Sequence, residues 1–283
     1  MSTPTLPSDI AETVQRALAE DMGHGDLTAA LIPENKTTRA QVVTREAAIL
    51  CGCAWFDEVF RQLDARVRTT WNAPDGEAIR AGQTLCQIEG PARAILTGER
   101  TALNFLQTLS GVATRTRSYV DAMRGTHAVI LDTRKTVPGL RLAQKYAVRC
   151  GGGQNHRLGL YDGILIKENH IAAAGSIVAA IEAAKTSAAP GLLVEIEVEN
   201  LQQLREALAA GARRILLDNF DLAGLRTAVS ETRGRAQLEV SGGVTLTNVR
   251  ALAETGVDFI SIGDLTKNLT AVDLSLRFEK TLR

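Results

Sequence analysis

The sequence has no excess of either charge, no long apolar run and no targeting signal at its start. Its 283 residues include 32 Lys and Arg against 32 Asp and Glu, so the formal net charge is zero. That balance argues against a broad nucleic-acid-binding surface, which is usually basic. No apolar run approaches the roughly 20 residues of a membrane-spanning helix. The first ten residues lack the basic and apolar regions of a signal peptide, so we expect a cytoplasmic protein.

Disulfide frameworks and zinc motifs are also missing. The four cysteines, Cys51, Cys53, Cys86 and Cys150, form no C-x-x-C pair, and the four histidines are too scattered to complete a zinc site. Buried, reduced thiols are expected instead. Hydrophobic residues make up 45% and charged residues 23%, which is ordinary for a globular chain and excludes disordered and fibrous classes. The length fits one large domain or two ordinary ones.

Apolar runs alternate with helix-like segments in the second part of the sequence. The runs cover residues 128–131, 163–166, 192–198, 214–217, 237–240 and 257–262, and the helix-like segments cover 176–185, 200–210, 221–230 and 247–254. A strand and a helix recurring about every 20 to 35 residues predict βα units and a parallel sheet. We therefore expect an α/β catalytic domain over residues 111–266.

The first part lacks this rhythm and predicts an α+β layer over residues 1–110. Helices are expected at 8–20, 53–63 and 98–111, and strands at 38–50 and 65–71. A final helix over 267–283 is expected to return to this first domain.

Polar residues follow nearly every strand of the predicted parallel sheet, where such folds place their ligand. Glu195, Glu197 and Glu199 alternate along one strand, so they share one face. Carboxylates facing the interior of a barrel need cations or a metal. An outward-facing acidic stripe is the alternative.

Residues 133–161 contain no Asp or Glu. This stretch includes six cations, together with His156 and a run of three glycines: Arg134, Lys135, Arg141, Lys145, Arg149 and Arg157. Lys167 and His170 follow the next strand. A solvated basic loop is the simple interpretation, but Arg and Lys converging on a pocket recognise carboxylate or phosphate. We favour an anion site.

Phosphate and metal groups are indicated at later strand ends. Ser241, Gly242 and Gly243 follow the fifth strand and Gly263 ends the sixth, which is the usual phosphate position in (β/α) barrels. Glu197 and Asp218 end neighbouring strands and offer hard oxygen ligands for Mg²⁺. Simple pairing of both acids with nearby cations, and a simple tight turn at the glycines, are the alternatives.

Several motifs resemble the nicotinate-nucleotide pyrophosphorylase (carboxylating) family, also called quinolinate phosphoribosyltransferase. They lie at 20–28 (EDMGHGDLT), 97–104 (TGERTALN), 132–139 (DTRKTVPG), 151–159 (GGGQNHRLG), 161–170 (YDGILIKENH) and 217–220 (LDNF). The similarity runs in order from about residue 10 to 270. It implies an α+β N-terminal domain and an open, incomplete (β/α) barrel of the type II phosphoribosyltransferase kind.

The resemblance also implies a reaction, a metal and an assembly. Quinolinate and phosphoribosyl pyrophosphate would give nicotinate mononucleotide, pyrophosphate and carbon dioxide, with Mg²⁺, in a homodimer or hexamer whose subunits share active sites. The implied residues are Arg134, Arg157 and Lys167 with His156 for the quinolinate carboxylates, Arg100 from a partner subunit, Lys135 for both substrates, Glu197 and Asp218 for ribose and Mg²⁺, and Ser241, Gly242, Gly243 and Gly263 for the 5′-phosphate. Lys135, Glu197 and Asp218 are the expected catalytic groups.

Two other functions remain open from the sequence. One is a related transferase, either a paralogue associated with molybdate transport or an enzyme that uses nicotinate. Arg100 and Arg157 favour a dicarboxylate, because one carboxylate needs fewer cations. The other is a catalytically silent nucleotide sensor, against which the full set of candidate catalytic residues argues.

Overall fold

The computed structural model describes residues 4–279. Its strands, in chain order, are β1 Thr37–Thr44, β2 Ala48–Ile49, β3 Arg68–Trp71, β4 Ala78–Ile79, β5 Thr84–Pro91, β6 Val129–Leu131, β7 Gly163–Ile166, β8 Leu193–Val198, β9 Arg214–Asp218, β10 Gln237–Ser241, β11 Phe259–Ser261 and β12 Leu274–Phe278. Its α-helices are α1 Ile10–Met22, α2 Cys53–Leu63, α3 Ala92–Ala122, α4 Arg141–Cys150, α5 Glu168–Ala174, α6 Ile177–Ser187, α7 Leu201–Ala209, α8 Leu222–Thr232, α9 Val249–Ala253 and α10 Asp264–Lys267.

The contacts divide these residues into two compact units. The first contains residues 4–117, 136–152 and 265–279, and the second contains 118–135 and 153–264. This division differs from the domain boundary predicted near residue 110, which falls inside α3. Residues 136–152, assigned to the catalytic domain from the sequence, lie in the first unit.

The first unit is built on an antiparallel sheet in the order β12-β1-β5-β3. Helix α2 has a period-3.6 apolar face, and its Trp55, Phe56 and Phe60 are fully buried. A Cβ added at Gly98 of α3 would lie 2.7 Å from a ring carbon of Phe60. Helices α2 and α3 therefore pack too closely at this point for a side chain, which explains the glycine.

The last part of the chain corrects one prediction. The expected helix over 267–283 is wrong for the described residues, because Leu274–Phe278 is a strand that pairs antiparallel with β1. Apolar Leu274, Leu276 and Phe278 alternate with polar residues there, which is the strand period. Residues 280–283 lie outside the described part of the chain. The pairing does place this segment in the first unit.

Other differences in the first unit concern element limits. The expected strand over 38–50 is two strands, β1 and β2, and the expected helix over 98–111 is the middle of α3. Strand β5 was not predicted. The four cysteines are free, and Cys51, Cys86 and Cys150 are buried, as expected.

The second unit confirms the six predicted strands and their parallel sheet. The order is β6-β11-β10-β9-β8-β7, with every pair parallel. Strands β6 and β7 lie at the two edges of this sheet, so it does not close into a complete barrel. The predicted fold class, an α+β region followed by an open (β/α) barrel, is confirmed.

The helices that connect the strands begin at capping side chains. Ser176, Asn200 and Asp221 each accept a hydrogen bond from a backbone N–H in the first turn of α6, α7 and α8. The chain then returns to the next parallel strand, so successive strands present their carboxyl ends at the same edge. Across residues 4–279 we find no helix with both the length and the apolar character to cross a membrane.

Candidate active site

A cavity opens at the carboxyl ends of the strands in the second unit. Its volume is about 310 Å³. Strand register explains the composition of its wall, because Glu197 pairs with Leu216 and Ser241 pairs with Asp218, which places these side chains on one face. The lining residues are Thr133, Arg134, Lys135, His156, Arg157, Leu165, Lys167, Glu197, Leu216, Glu239, Ser241 and Ser261.

Four cations line this cavity, and two of them repel each other. The pKa of Arg157 is lowered by burial and by the charge of Arg134. Arg157 also donates to the backbone carbonyl of Gly163 at 3.0 Å, which fixes its guanidinium beside β7. Lys135 and Lys167 complete the set. An anion in the cavity would relieve this repulsion, so the wall favours carboxylate or phosphate.

A buried aspartate holds the loop that carries the cationic and histidine side chains. Asp132, at the end of β6, accepts hydrogen bonds from Asn155 Nδ2 at 2.6 Å and from the backbone N–H of His156 at 2.9 Å. Asp162 accepts from the backbone N–H groups of residues 158 and 159. His156 and Arg157 are therefore positioned by hydrogen bonds to the main chain as well as by packing.

Beside the cations lies a buried charge network formed by His156, Glu195, Arg214 and Glu239. His156 Nε2 is 2.7 Å from Glu195 Oε2, and its Nδ1 accepts the backbone N–H of the next residue. Arg214 donates to Glu195 Oε1 at 3.2 Å and to Glu239 Oε2 at 2.7 Å. Its guanidinium stacks 3.5 Å from the centre of the Phe259 ring. The two carboxylates are fully buried, so they depend on these partners.

The two buried acids differ in their protonation. Burial, followed by the charge of Glu195, raises the pKa of Glu239 to about 7, against the lowering effects of His156 and Arg214. Burial also acts to raise the pKa of Glu195, but the hydrogen bond from His156 and the charges of His156 and Arg214 outweigh burial and lower it. One proton is therefore held mainly on Glu239, and its hydrogen bond to Glu195 contributes to the low pKa there.

The acidic side of the cavity is formed by Glu197 and Asp218. Lys167 Nζ lies 2.8 Å from Glu197 Oε2. The pKa of Asp218 is raised, above all by burial, while the charge of Lys167 lowers it and the smaller effect of Glu199 raises it. A cation bound at this carboxylate would offset the cost of burying its charge.

Glycines bring the backbone close to side chains at the same edge. Gly242 has φ +94°, and a Cβ there would collide with the side-chain amide of Asn219. A Cβ at Gly263 would lie 2.8 Å from Lys135 Cδ. Glycine is thus favoured at Gly242 by both conformation and space, whereas a side chain at Gly263 would displace Lys135; the exposed loop after β10 presents its backbone to solvent.

Most of the predicted site residues are brought together. Seven of them line the cavity: Arg134, Lys135, His156, Arg157, Lys167, Glu197 and Ser241. Asp218 pairs with Ser241 in the sheet, Gly242 and Gly243 follow directly, and Gly263 lies against Lys135.

Some predicted cations lie elsewhere. Arg100 is exposed on α3 in the first unit, so its role stays a prediction. Arg141, Lys145 and Arg149 belong to α4, also in the first unit, and Lys145 is almost completely buried. The interpretation of residues 133–161 as one anion-binding stretch therefore stays a prediction for residues 136–152, which belong to the first unit.

Two residues of the site were missed from the sequence. Arg214 and Glu239 were read only as parts of apolar strands, although charged residues within such strands need buried partners. Glu239 also lies two residues before Ser241, so it shares a face with it. This alternation of Glu239 and Ser241 along the strand is the sequence pattern that indicates a place for Glu239 in the site.

Two groups of potential metal ligands occur in the described residues with their ligand atoms within 4.8 Å. In the first, Cys51, Asp75 and Cys150, the carboxylate already accepts from two backbone N–H groups and from Tyr146. The second, His156, Glu195 and Glu239, already has Arg214 as its cation. Neither arrangement leaves a metal-binding set free of other partners. Glu197 and Asp218 offer two carboxylates on adjacent strands.

Two family models match consecutive parts of the chain. Residues 26–110 match the quinolinate phosphoribosyl transferase N-terminal domain, and residues 112–277 match the C-terminal domain of the same description.

Curated proteins and solved structures agree with these matches. A nicotinate-nucleotide pyrophosphorylase (carboxylating) from Mycobacterium leprae is 45% identical over 94% of this chain and 95% of that protein. A probable enzyme of the same name from Bacillus subtilis is 44% identical over 91% of this chain and 89% of its own. The solved nicotinate-nucleotide pyrophosphorylase from Francisella tularensis has a TM-score of 0.94 and 47% identity, covering 99% of both chains.

Proposed function

This chain belongs to the quinolinate phosphoribosyl transferase family, and we propose that it transfers a phosphoribosyl group to quinolinate with loss of carbon dioxide. The substrates are quinolinate and phosphoribosyl pyrophosphate. The products are nicotinate mononucleotide, pyrophosphate and carbon dioxide, which is an entry to NAD biosynthesis.

One observation supports this function most directly. Arg134, Arg157 and Lys167 line one cavity at the carboxyl ends of the strands. Quinolinate carries two carboxylates on adjacent ring carbons, so it needs several fixed cations. A site for a single carboxylate would not need the two mutually repelling guanidinium groups. The cavity therefore favours a dicarboxylate over nicotinate.

We assign the carboxylates of quinolinate to Arg134, Arg157 and Lys167, with His156 beside them. Guanidinium groups bind carboxylates through two parallel hydrogen bonds, which orients the ring as well as holding it. Because Arg157 is fixed by the carbonyl of Gly163, the ring can be bound in one orientation. The ring nitrogen then faces the second substrate.

We assign the phosphoribosyl end to the opposite part of the wall. Ser241 and the backbone N–H groups of Gly242, Gly243 and Gly263 would bind the 5′-phosphate. Glycines permit this close backbone approach. Lys135 lies against Gly263 of the proposed phosphate site and also lines the cavity together with Arg134. We therefore expect it to serve both substrates.

The acidic pair fits Mg²⁺ by its chemistry. Glu197 and Asp218 supply hard oxygen ligands from adjacent strands, and the raised pKa of Asp218 reflects the burial of a carboxylate whose charge a cation would stabilise. We expect these two side chains to hold Mg²⁺ together with oxygens of the substrate. Bound there, Mg²⁺ supplies positive charge against the pyrophosphate oxygens.

The protein residues then act mainly by positioning and charge. As pyrophosphate departs, positive charge develops on the ribose, and Glu197 and Asp218 stabilise it. The ring nitrogen attacks the ribose carbon, and the resulting positive nitrogen stabilises the electron pair left when the adjacent carboxylate leaves. Holding both reactants in line can supply about 7–11 kcal/mol of the rate enhancement.

Assembly and location are further parts of this proposal. We propose a homodimer, which can assemble further to a hexamer, in which Arg100 enters the partner's site. Arg100 is exposed, as such a role requires. A cytoplasmic location is proposed from the free, mostly buried thiols.

The test is an assay of the purified protein with carboxyl-labelled quinolinate, phosphoribosyl pyrophosphate and Mg²⁺. We expect release of labelled carbon dioxide in equal amounts with nicotinate mononucleotide. Arg134→Ala should abolish turnover, whereas Arg250→Ala, which removes an exposed pair with Glu254, should leave it unchanged. Turnover with nicotinate but not with quinolinate would contradict the proposal. Substrate binding without any turnover would also contradict it.

A further inference from the structure

Among residues 4–279, no group donates a hydrogen bond to one carboxyl oxygen of Glu239. Its Oε2 accepts from Arg214 at 2.7 Å, but its Oε1 is buried and receives no hydrogen bond from residues 4–279. Glu239 also lines the candidate active-site cavity. A fully buried carboxyl oxygen that accepts no hydrogen bond at a ligand cavity is unusual, because leaving a buried polar atom without a partner destabilises the folded state.

The reaction described above requires a proton at one particular atom. When carbon dioxide leaves, C2 of the pyridine ring keeps the electron pair of the broken C–C bond, and nicotinate mononucleotide has a hydrogen there. One proton must therefore be delivered to C2 in each turnover. The proton donor has to lie inside the cavity, where the ring is held.

The other candidate donors in the cavity are already engaged. Lys167 is paired with Glu197 at 2.8 Å. His156 Nε2 is 2.7 Å from Glu195 Oε2 and its Nδ1 accepts a backbone N–H, so both ring nitrogens have protein partners. Glu239 is also hydrogen-bonded to Glu195, but it holds a proton near neutral pH and its buried Oε1 accepts no hydrogen bond from residues 4–279.

We propose that Glu239 is the catalytic acid that protonates C2 after decarboxylation, an inference that rests on the proposed function. The C2–carboxylate bond breaks, carbon dioxide leaves, and the electron pair stays on C2. That pair takes the proton of Glu239, whose O–H bond breaks to leave a carboxylate paired with Arg214. Water returns the proton before the next turnover.

The surrounding charges suit this exchange. Glu195 faces Glu239 from β8 and His156 faces it from the preceding loop, while Arg214 contacts it from β9. The negative charge of Glu195 keeps the proton on Glu239, and Arg214 stabilises the carboxylate once the proton has gone. An incoming dianion adds negative charge and so favours the protonated acid in the complex.

Glu239→Gln tests the proposal, because glutamine can keep the contact to Arg214 but cannot supply a proton. In a single-turnover experiment we expect pyrophosphate release to stay within about threefold of the natural protein. Formation of nicotinate mononucleotide should fall about 100-fold or more, the range of general acid catalysis, with the undecarboxylated mononucleotide accumulating. Glu254→Gln is the matched control, since it makes the same Glu-to-Gln change at an exposed ion pair with Arg250 and leaves the buried charge network intact. It should keep product formation coupled to pyrophosphate release.

Several results would overturn the assignment. Product formation that keeps pace with pyrophosphate release in Glu239→Gln would exclude the acid role, and an equal loss of both steps would make Glu239 a binding or positioning residue. If the unaltered protein releases no pyrophosphate, the proposed function has failed instead.

A second measurement needs no variant. In the unaltered protein, the rate of product formation should fall tenfold per pH unit above the pKa of the acid. The rate of pyrophosphate release should not fall over the same pH range. A product step that stays level with rising pH would also overturn the proposal.

Discussion

Replacing Arg214 with methionine should destabilise the second unit strongly, and the loss should depend on pH. The Arg214 side chain is 10% exposed and contacts Glu195 and Glu239, both 0% exposed. Methionine keeps much of the aliphatic side chain but removes the charge and the guanidinium that stacks on Phe259. Breaking a buried ion pair by removing one partner costs about 3–5 kcal/mol, because it leaves an uncompensated charge. We expect a loss of that size in the free energy of unfolding at about pH 8.

The sign of the pH dependence follows from the carboxylates. Without Arg214, the folded-state pKa values of Glu195 and Glu239 rise above the unfolded value of about 4.3. Groups with a raised folded pKa bind protons more tightly in the folded state, so stability falls as pH rises through the raised pKa. The variant should therefore recover part of its stability at about pH 5, where protonated carboxyls need no counter-charge.

Urea unfolding at about pH 8 and about pH 5 measures both effects. Arg205→Met is the control, because Arg205 pairs with Glu231 at 2.7 Å but the two side chains are 59% and 30% exposed. Such surface pairs contribute about 0–1 kcal/mol, with little change between these pH values. A loss under about 1 kcal/mol for Arg214→Met, or the same loss at both pH values, would refute the reasoning.

Three other substitutions test separate parts of the molecule. Arg157→Ala should weaken quinolinate binding about 10- to 100-fold in a titration, because charged hydrogen bonds worth about 1.5–3 kcal/mol are lost. Binding of phosphoribosyl pyrophosphate should weaken far less. Equal losses for the two substrates would contradict the role of Arg157. Gly242→Ala should raise KM for phosphoribosyl pyrophosphate about tenfold, because of its positive φ and crowding, while Gly191→Ala, at φ +83° with open space, should not. Tyr146→Phe should lower the free energy of unfolding by about 1–3 kcal/mol, since Asp75 loses a donor at 2.8 Å; unchanged denaturation would count against this.

The repeating part of the fold could be predicted because its signal is local. Strands such as β8 and β9 are apolar runs bounded by glycines and caps, and each is read within ten residues. Strand β5 was missed although Cys86 and Ile88 are buried while Gln87 and Glu89 are exposed. Its alternation is short and ends at Gly90 and Pro91. The turn residues Gly90 and Pro91 therefore indicate a turn more strongly than the short alternation indicates a strand.

Helix α4 was missed for a different reason. Ala143, Tyr146, Ala147 and Cys150 are buried at helical spacing. The stretch was interpreted by its charges, and three of its cations lie on this helix. Counting charges along the sequence cannot separate residues that the chain then assigns to two units. The helical spacing of the apolar residues could have separated them.

The site was predictable as far as strand ends determine it. Lys167, Glu197 and Ser241 follow or end apolar runs, so parallel pairing brings them to one edge. Arg214 and Glu239 depend on sheet register, because each meets a partner on a neighbouring strand about 20 residues away in sequence. No local pattern specifies that meeting.

The buried charge network explains how a chain of zero net charge can present a positive cavity. Glu195 and Glu239 together would carry two negative charges against the single charge of Arg214. A proton on Glu239 reduces the acids to one charge, which Arg214 balances. The network then adds no net negative charge to the cavity, so the cations of its wall can attract a dianion. Protonation of one buried acid is thus coupled to substrate charge, and the proton that makes the site receptive is the one that the reaction goes on to consume.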